Sequence, residues 1–355
     1  MAWISHVSLR GLSLKSAARI VLGLAISGLF LWLTVRQVDV AQVRAALAQA
    51  QLGFLIPAIA TYFVSVAIRA WRWSLILRPV RAVSWRQLYP AVVIGHMGNM
   101  LLTARLGDLL RATVLGRRLG RAGGASAGLG SVAAEGVLDG LGIVGIMVIT
   151  TQFLPRPPWL SAGLPLVTLV FVAALIALVS MLALRSRLVG WLQRWIGRFA
   201  WAGRPLGLLE HFLAGLEAVR DPRLFGGAAA ITLLGWLSSA FEFYWVFRAF
   251  DLPLGVGASL FTVSAVGLSL IIPSAPAYVG TFEFAGVAVL TTLGIPAAKA
   301  FSAILLVHMV EVIPVTLLGL ALAWRETMVP LGGGAVPMGK GAAHGREQPG
   351  LEAAP

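Results

Sequence analysis

The chain has 355 residues, 58% of them hydrophobic and 12% charged, with a mean hydropathy of +0.87 and a formal net charge of +14. Apolar content above the roughly 45–50% of soluble domains excludes an ordinary globular enzyme and leaves an all-α, polytopic integral membrane protein as the expected class. The lack of cysteine excludes disulfides, thiolate metal sites and cysteine nucleophiles.

The basic residues lie in short stretches between apolar runs, so the charge reads as topology and not as a nucleic-acid footprint. All but three of the 28 basic residues are arginine, the lysines being Lys15, Lys299 and Lys340. The five histidines are scattered and form no ligand pair, so neither a metal nor another cofactor is expected.

Residues 1–17 form a basic N-terminal segment, expected to be cytoplasmic. Arg10, Lys15 and Arg19 flank an apolar run that resembles a signal peptide, but no small-residue cleavage site follows, so the run is expected to remain as the first span. Runs long enough to cross roughly 30 Å of hydrocarbon lie at 18–35, 52–70, 125–153, 164–184, 225–247 and 297–324. Two further apolar regions, 88–119 and 256–293, are interrupted by glycine, proline and charge, giving about eight apolar segments in all.

Arginine distribution arbitrates their topology. Arg69, Arg72, Arg78, Arg81 and Arg86 precede the first broken region, and Arg117, Arg118 and Arg121 follow it. If both clusters are cytoplasmic, region 88–119 enters and leaves on one side as a re-entrant helical hairpin turning near Thr103. The segment 185–223, with Trp191, Trp195 and Trp201 among its arginines, reads as amphipathic helices on the cytoplasmic membrane surface. Continuing the alternation makes the second broken region a hairpin from the opposite face. Two opposed, broken hairpins are the inverted-repeat plan of transporters, whose substrate sites form at the breaks. After Pro330 the glycine, alanine and proline content is too poor in apolar surface to fold, and 325–355 is expected to be a disordered cytoplasmic tail.

The first break reads Asn99-Met-Leu-Leu-Thr-Ala-Arg-Leu-Gly-Asp-Leu-Leu-Arg111. A charge at mid-bilayer costs about 2.5–3.5 kcal/mol even on the lenient insertion scale, so Arg105, Asp108 and Arg111 mark a polar site or a structural ion pair at headgroup level. Their spacing of three keeps them within an arc of about 120°, and Gly107 among them permits close backbone approach. Two arginines against one carboxylate leave positive charge that a phosphate would neutralise. His96 shares a face with Asn99 and is given no catalytic part, since a lone helical histidine is more often a core hydrogen-bonder.

Glu135 and Asp139, four apart, point the same way, either as an interfacial pair or toward the hairpin arginines. Glu242 lies deep in a span. In the second break, Ile272-Pro-Ser-Ala-Pro-Ala-Tyr-Val-Gly-Thr-Phe-Glu283, Pro273 and Pro276 remove backbone donors and Gly280 permits unusual dihedrals, so free carbonyls and a helix N-terminus are expected to face the interior and attract an anion. The alternative is a proline kink without a ligand, with Glu283 as a helix cap. His308 and Glu311, three apart, form either a structural pair or, with Glu242, a titratable set for proton coupling.

These motifs resemble the flippase-like transmembrane domain of the lysylphosphatidylglycerol synthases across nearly all of 18–324. The family pattern Asn then Pro-x-Arg-x-Gly-Glu-x-x-Arg lines up with Asn99, Thr103, Arg105, Gly107, Asp108 and Arg111, where Thr103 replaces proline and Asp108 replaces glutamate. The pattern Pro-x-x-Pro-Gly-x-x-Gly-x-x-Glu lines up with Pro273, Pro276, Ala277, Gly280 and Glu283, with Ala277 in place of a glycine. The Glu-Arg-x-x-Asp pattern meets Glu135, Gly136 and Asp139 and lacks its arginine.

The resemblance implies translocation of a phospholipid or related anionic lipid between leaflets of a bacterial cytoplasmic membrane, with both termini cytoplasmic. The aminoacyl-transferase domain of full-length synthases is not expected here, since only the tail follows Trp324, and no enzyme activity is expected. Expected partners are the lipid itself, a second copy of the chain or a separate lipid-modifying enzyme, and no nucleic acid. The rival readings are a membrane-embedded transferase and an accessory subunit acting on lipid-linked substrates; against the first, no nucleophile, metal cluster or nucleotide loop is legible.

Overall fold

The computed structural model describes residues 14–102, 106–119, 124–155, 157–196, 198–199 and 203–328. Thr103, Arg105 and the tail beyond 328 lie outside them, as does most of the N-terminal segment. Among the described residues every regular element is helical, as lipid requires: only a helix satisfies all its backbone groups within one span.

Helix α1 (Leu14–Val35) bends by 82° into the short α2 (Val40–Gln49), whose N-terminus is capped by Asp39 accepting from the Ala41 amide at 2.8 Å. Helices α3 (Leu55–Ile76), α6 (Gly124–Thr150), α7 (Pro158–Ala183), α10 (Pro222–Ala249) and α13 (Ala297–Met328) contain the segments long and apolar enough to cross a membrane. With the bent α1–α2 pair counted as a span they make up to six, matching the sequence expectation.

The first broken region is α4 (Trp85–Leu101) and α5 (Leu106–Leu119). The two run antiparallel, since Asn99 lies against Gly107 and Gly95 lies against Arg111. The second is α11 (Val256–Ser269) and α12 (Thr281–Thr292), joined through a single 3₁₀ turn, Pro276–Tyr278. Between the long helices, α8 (Arg185–Ile196) and α9 (Gly203–Gly215) occupy the arginine-rich segment. On α8 Trp191 and Trp195 are exposed, as befits an interfacial helix.

Lipid tails are as apolar as leucine, so helices associate through close packing and polar contacts rather than through burial from water. The outer face of α7, with Leu166, Leu169, Val170 and Ile176, stays exposed, whereas α3 and α10 pack along much of their length at the centre. Small residues on α6 let α5 approach closely, Gly128 against Ala112. The α4–α5 hairpin is held by α3, α6 and α13, and the α11–α12 hairpin by α1, α6, α10 and α13. The Pro276–Tyr278 turn packs on α4, so the two broken regions meet.

Candidate functional site

Where α3, α5, α6 and α10 converge, buried charges form one network. On α3 the positions Tyr62, Ser65, Arg69, Arg72 and Trp73 recur every three or four residues, a polar stripe on an otherwise apolar span. Arg72, with a side chain only 4% exposed, donates from Nε to Glu135 at 3.2 Å. It donates from Nη1 and Nη2 to the two oxygens of Asp139 at 2.5 and 2.9 Å, and from Nη1 to Thr232 at 3.0 Å. The planar guanidinium thus clamps Asp139 bidentately while reaching Glu135.

Arg111 on α5 reaches the other oxygen of Glu135 at 2.7 Å and Asp108, one turn back, at 3.1 Å. Its guanidinium lies over the ring of Trp73, 5.1 Å from the centroid, and the Trp73 indole donates to Ser131 at 2.8 Å. Arg69 completes the set 3.7 Å from Asp139 and stacked over Trp236.

The network corrects the sequence reading in one respect. Arg69 and Arg72, taken as part of a cytoplasmic basic stretch, belong to the site; their spacing relative to Tyr62 and Ser65 on an apolar helix was the signal that they point inward. Among the described residues Arg69, Arg72 and Arg111 face Asp108, Glu135 and Asp139, because α6 supplies two carboxylates. Arg105 lies outside the described residues. His96 stands within electrostatic reach of Arg69, Arg72, Arg111 and Asp139.

Close backbone approach at the first break is decided at Gly107, where any Cβ would overlap the carbonyl oxygen of Gly95 and the amide of Asn99. Asn99 is placed against this contact, with its Oδ1 buried and without a hydrogen-bond partner.

The second break forms a separate polar cluster. Pro273 and Pro276 open an irregular stretch in which Ala277, Tyr278 and Gly280 take positive φ, at 56°, 58° and 92°. The freed carbonyl of Ala277 accepts from His308 Nε2 at 2.7 Å, and His308 Nδ1 lies 2.5 Å from Glu283 Oε1. Because a carbonyl only accepts, Nε2 carries a proton, and Nδ1 and Glu283 share the other. The other Glu283 oxygen accepts from the Gly280 amide at 2.6 Å, and the His308 ring stacks on Phe282 with centroids 4.3 Å apart. The anion expected at this helix N-terminus is therefore the chain's own Glu283.

The expected His308–Glu311 pairing is replaced by His308–Glu283, since the break presents a carbonyl and a carboxylate at hydrogen-bond distance. Glu311 instead acts across to the buried Glu242 on α10. Among the described residues no group of three or more histidine and carboxylate side chains is arranged to hold a metal.

The profile of the lysylphosphatidylglycerol synthase transmembrane region matches residues 20–319, almost the whole helical body. The chain belongs to this family. It is 29% identical to glycosyltransferase AglD of Haloferax volcanii over 82% of this chain and 52% of that protein, and so spans about half the length of that relative. It is 24% identical to a UPF0104 membrane protein of Methanocaldococcus jannaschii over 62% of this chain and 90% of that protein.

Three departures from the family motifs now have places. Asp108, shorter than the glutamate of the family pattern, still reaches Arg111 because the two are one turn apart. Gly136 is exposed, and a Cβ there would meet open space, so an arginine side chain would start outside the packed network. Ala277, in place of a glycine, holds left-handed backbone.

Proposed function

We propose that this member of the family translocates a phospholipid or related anionic lipid between the leaflets of a bacterial cytoplasmic membrane, with both termini cytoplasmic and the broken hairpins opposed. The observation that carries the reading is the Arg72–Arg111–Glu135–Asp139 network, buried where a broken hairpin meets spanning helices. Charges so placed are expensive in a bilayer and mark pathways. Glu135, Asp108 and Asp139 occupy the guanidinium faces that a phosphate would take, so the network is the occluded form. When α5 moves relative to α6, the headgroup phosphate takes the place of Glu135 on Arg111. The chain itself carries out transport and no chemical step.

The test is leaflet exchange of fluorescent phosphatidylglycerol in vesicles of phosphatidylcholine and phosphatidylglycerol containing the purified protein. Exchange above that of protein-free vesicles, lost in R111A and R105A, is expected. Unchanged exchange in a folded R111A variant removes the arginine from the mechanism.

A second reading follows from the relative named a glycosyltransferase: a membrane part that presents a lipid-linked substrate to a transferase. It predicts binding of lipid without leaflet exchange, and product formation only when a transferase is added.

A further inference from the structure

Beside the arginine network lies a second set of charges that the translocation reading leaves without a part. Glu242 on α10 is 1% exposed, and its Oε1 has no hydrogen-bond partner. The Tyr62 hydroxyl on α3, also buried, has none either, and it lies within electrostatic reach of Glu242, Glu311 and Arg69. Glu242 and Glu311 act on each other through space, and Arg69 acts on both.

Arg69 is also the arginine that is least tied down. Its Nε, like that of Arg111, has no hydrogen-bond partner, and its contact with Asp139 is 3.7 Å, long beside the 2.5 and 2.9 Å by which Arg72 already holds that carboxylate. The face of Trp236 under its guanidinium restrains it without fixing a direction. Two carboxylates that share one loosely paired cation in hydrocarbon cannot both stay ionised cheaply, and a buried carboxylate oxygen without a hydrogen-bond partner is a place for a proton.

We propose that Glu242, Glu311 and Tyr62 form a proton-binding site, and that Arg69 reports its occupancy to the arginine network by exchanging between the glutamates and Asp139. With a proton on the pair, Arg69 rests against Asp139, and its charge stays with the arginine network and favours an anionic headgroup on Arg111. When the proton leaves to water, the pair gains a negative charge, Arg69 is drawn along α3 toward it, and the network holds the headgroup less tightly. Proton and anionic lipid therefore bind with mutual help, which linkage makes reciprocal. The remaining charged or titratable neighbours are Tyr89 and His96 on α4, which face Tyr62 and Arg69, and His308 on α13, which faces Glu311 while bonded to Glu283.

This inference rests on the translocation reading for its consequence but not for its chemistry, and two measurements separate them. Infrared difference spectra of the reconstituted protein, taken as pH is raised, are expected to lose a protonated-carboxyl carbonyl band that is diminished in E242Q and in E311Q and whose midpoint moves in R69M, with R69K retaining the wild-type behaviour more closely. In the same phosphatidylcholine–phosphatidylglycerol vesicles, wild-type leaflet exchange is expected to be faster at acidic than at alkaline pH, and E242Q to exchange lipid without that dependence. A band unaffected by either glutamine variant overturns the proton site. Exchange whose pH dependence is the same in wild type, E242Q and E311Q overturns the coupling while translocation stands. Absence of exchange at every pH overturns translocation and leaves the proton site to the infrared result.

Discussion

Replacing Arg72 by methionine removes the cation that ties α3 to α6 and α10. The substitution keeps the length of the stem and deletes four donated hydrogen bonds, one to Glu135, two to Asp139 and one to Thr232. Breaking a buried ion pair by deleting one partner typically destabilises by about 3–5 kcal/mol, because the other charge is left unmet. Here Glu135 retains Arg111 at 2.7 Å, and Asp139 retains Arg69 at 3.7 Å and is 24% exposed, which places the loss near ~3 kcal/mol, the lower end of that range.

The molecule supplies its own control. Arg185 and Glu217, 3.4 Å apart with side chains 38% and 32% exposed, should contribute no more than about 1 kcal/mol. Equilibrium unfolding in mixed micelles, followed by far-ultraviolet circular dichroism, should show R72M strongly shifted and R185M nearly unshifted. The double variant R72M/D139N, which removes the orphaned charge, should regain ~1–2 kcal/mol over R72M. If R72M unfolds no more readily than R185M, or if D139N gives no rescue, the network does not hold the helices together as argued.

At the second break, A277G should raise stability by up to ~1 kcal/mol: left-handed backbone costs alanine about 1–2 kcal/mol, of which glycine's greater unfolded freedom takes back part. The same unfolding assay checks it, and a destabilised A277G would mean that the Ala277 methyl contributes packing worth more than the strain. At the first break, G107V should separate α4 from α5, because its side chain would overlap the Gly95 carbonyl and the Asn99 amide. The same unfolding assay should show G107V destabilised, and an unshifted transition would show that the hairpin is not held by this contact.

The path of the chain was legible because membrane structure follows from a few strong rules. Length and apolarity located the spans and the break in 88–119, whose two helices do lie back to back. The i,i+4 spacing of Glu135 and Asp139 put both on the face that meets the arginines. What failed was the assumption that arginines near a span's end report topology. Arg69 and Arg72 lie inside α3, and a count of basic residues cannot distinguish an arginine facing the headgroups from one facing a carboxylate on another helix. Likewise, spacing put His308 beside Glu311, but the donor went to Ala277 and Glu283, 31 and 25 positions away. Local spacing says which side chains share a face; it does not say what the next helix brings to that face.

That distinction bears on how a nearly neutral network can serve an anionic ligand. An open pair of guanidinia in hydrocarbon would be too costly to keep empty, so carboxylates must stand in while no ligand is bound. The three on offer are not equivalent. Asp108 shares a helix with Arg111 and moves with it, whereas Glu135 and Asp139 are fixed on α6 and meet arginines carried by α5 and α3. Any displacement of the hairpin therefore breaks Arg111–Glu135 first and leaves Arg111–Asp108 intact, exposing one guanidinium that is oriented but only half neutralised. In the proposed translocation a phosphate entering from the moving side meets Arg111 in that state, while Arg72, anchored bidentately to Asp139, keeps α6 in place. The pairing that closes the site is thus also the pairing that determines which side of it opens.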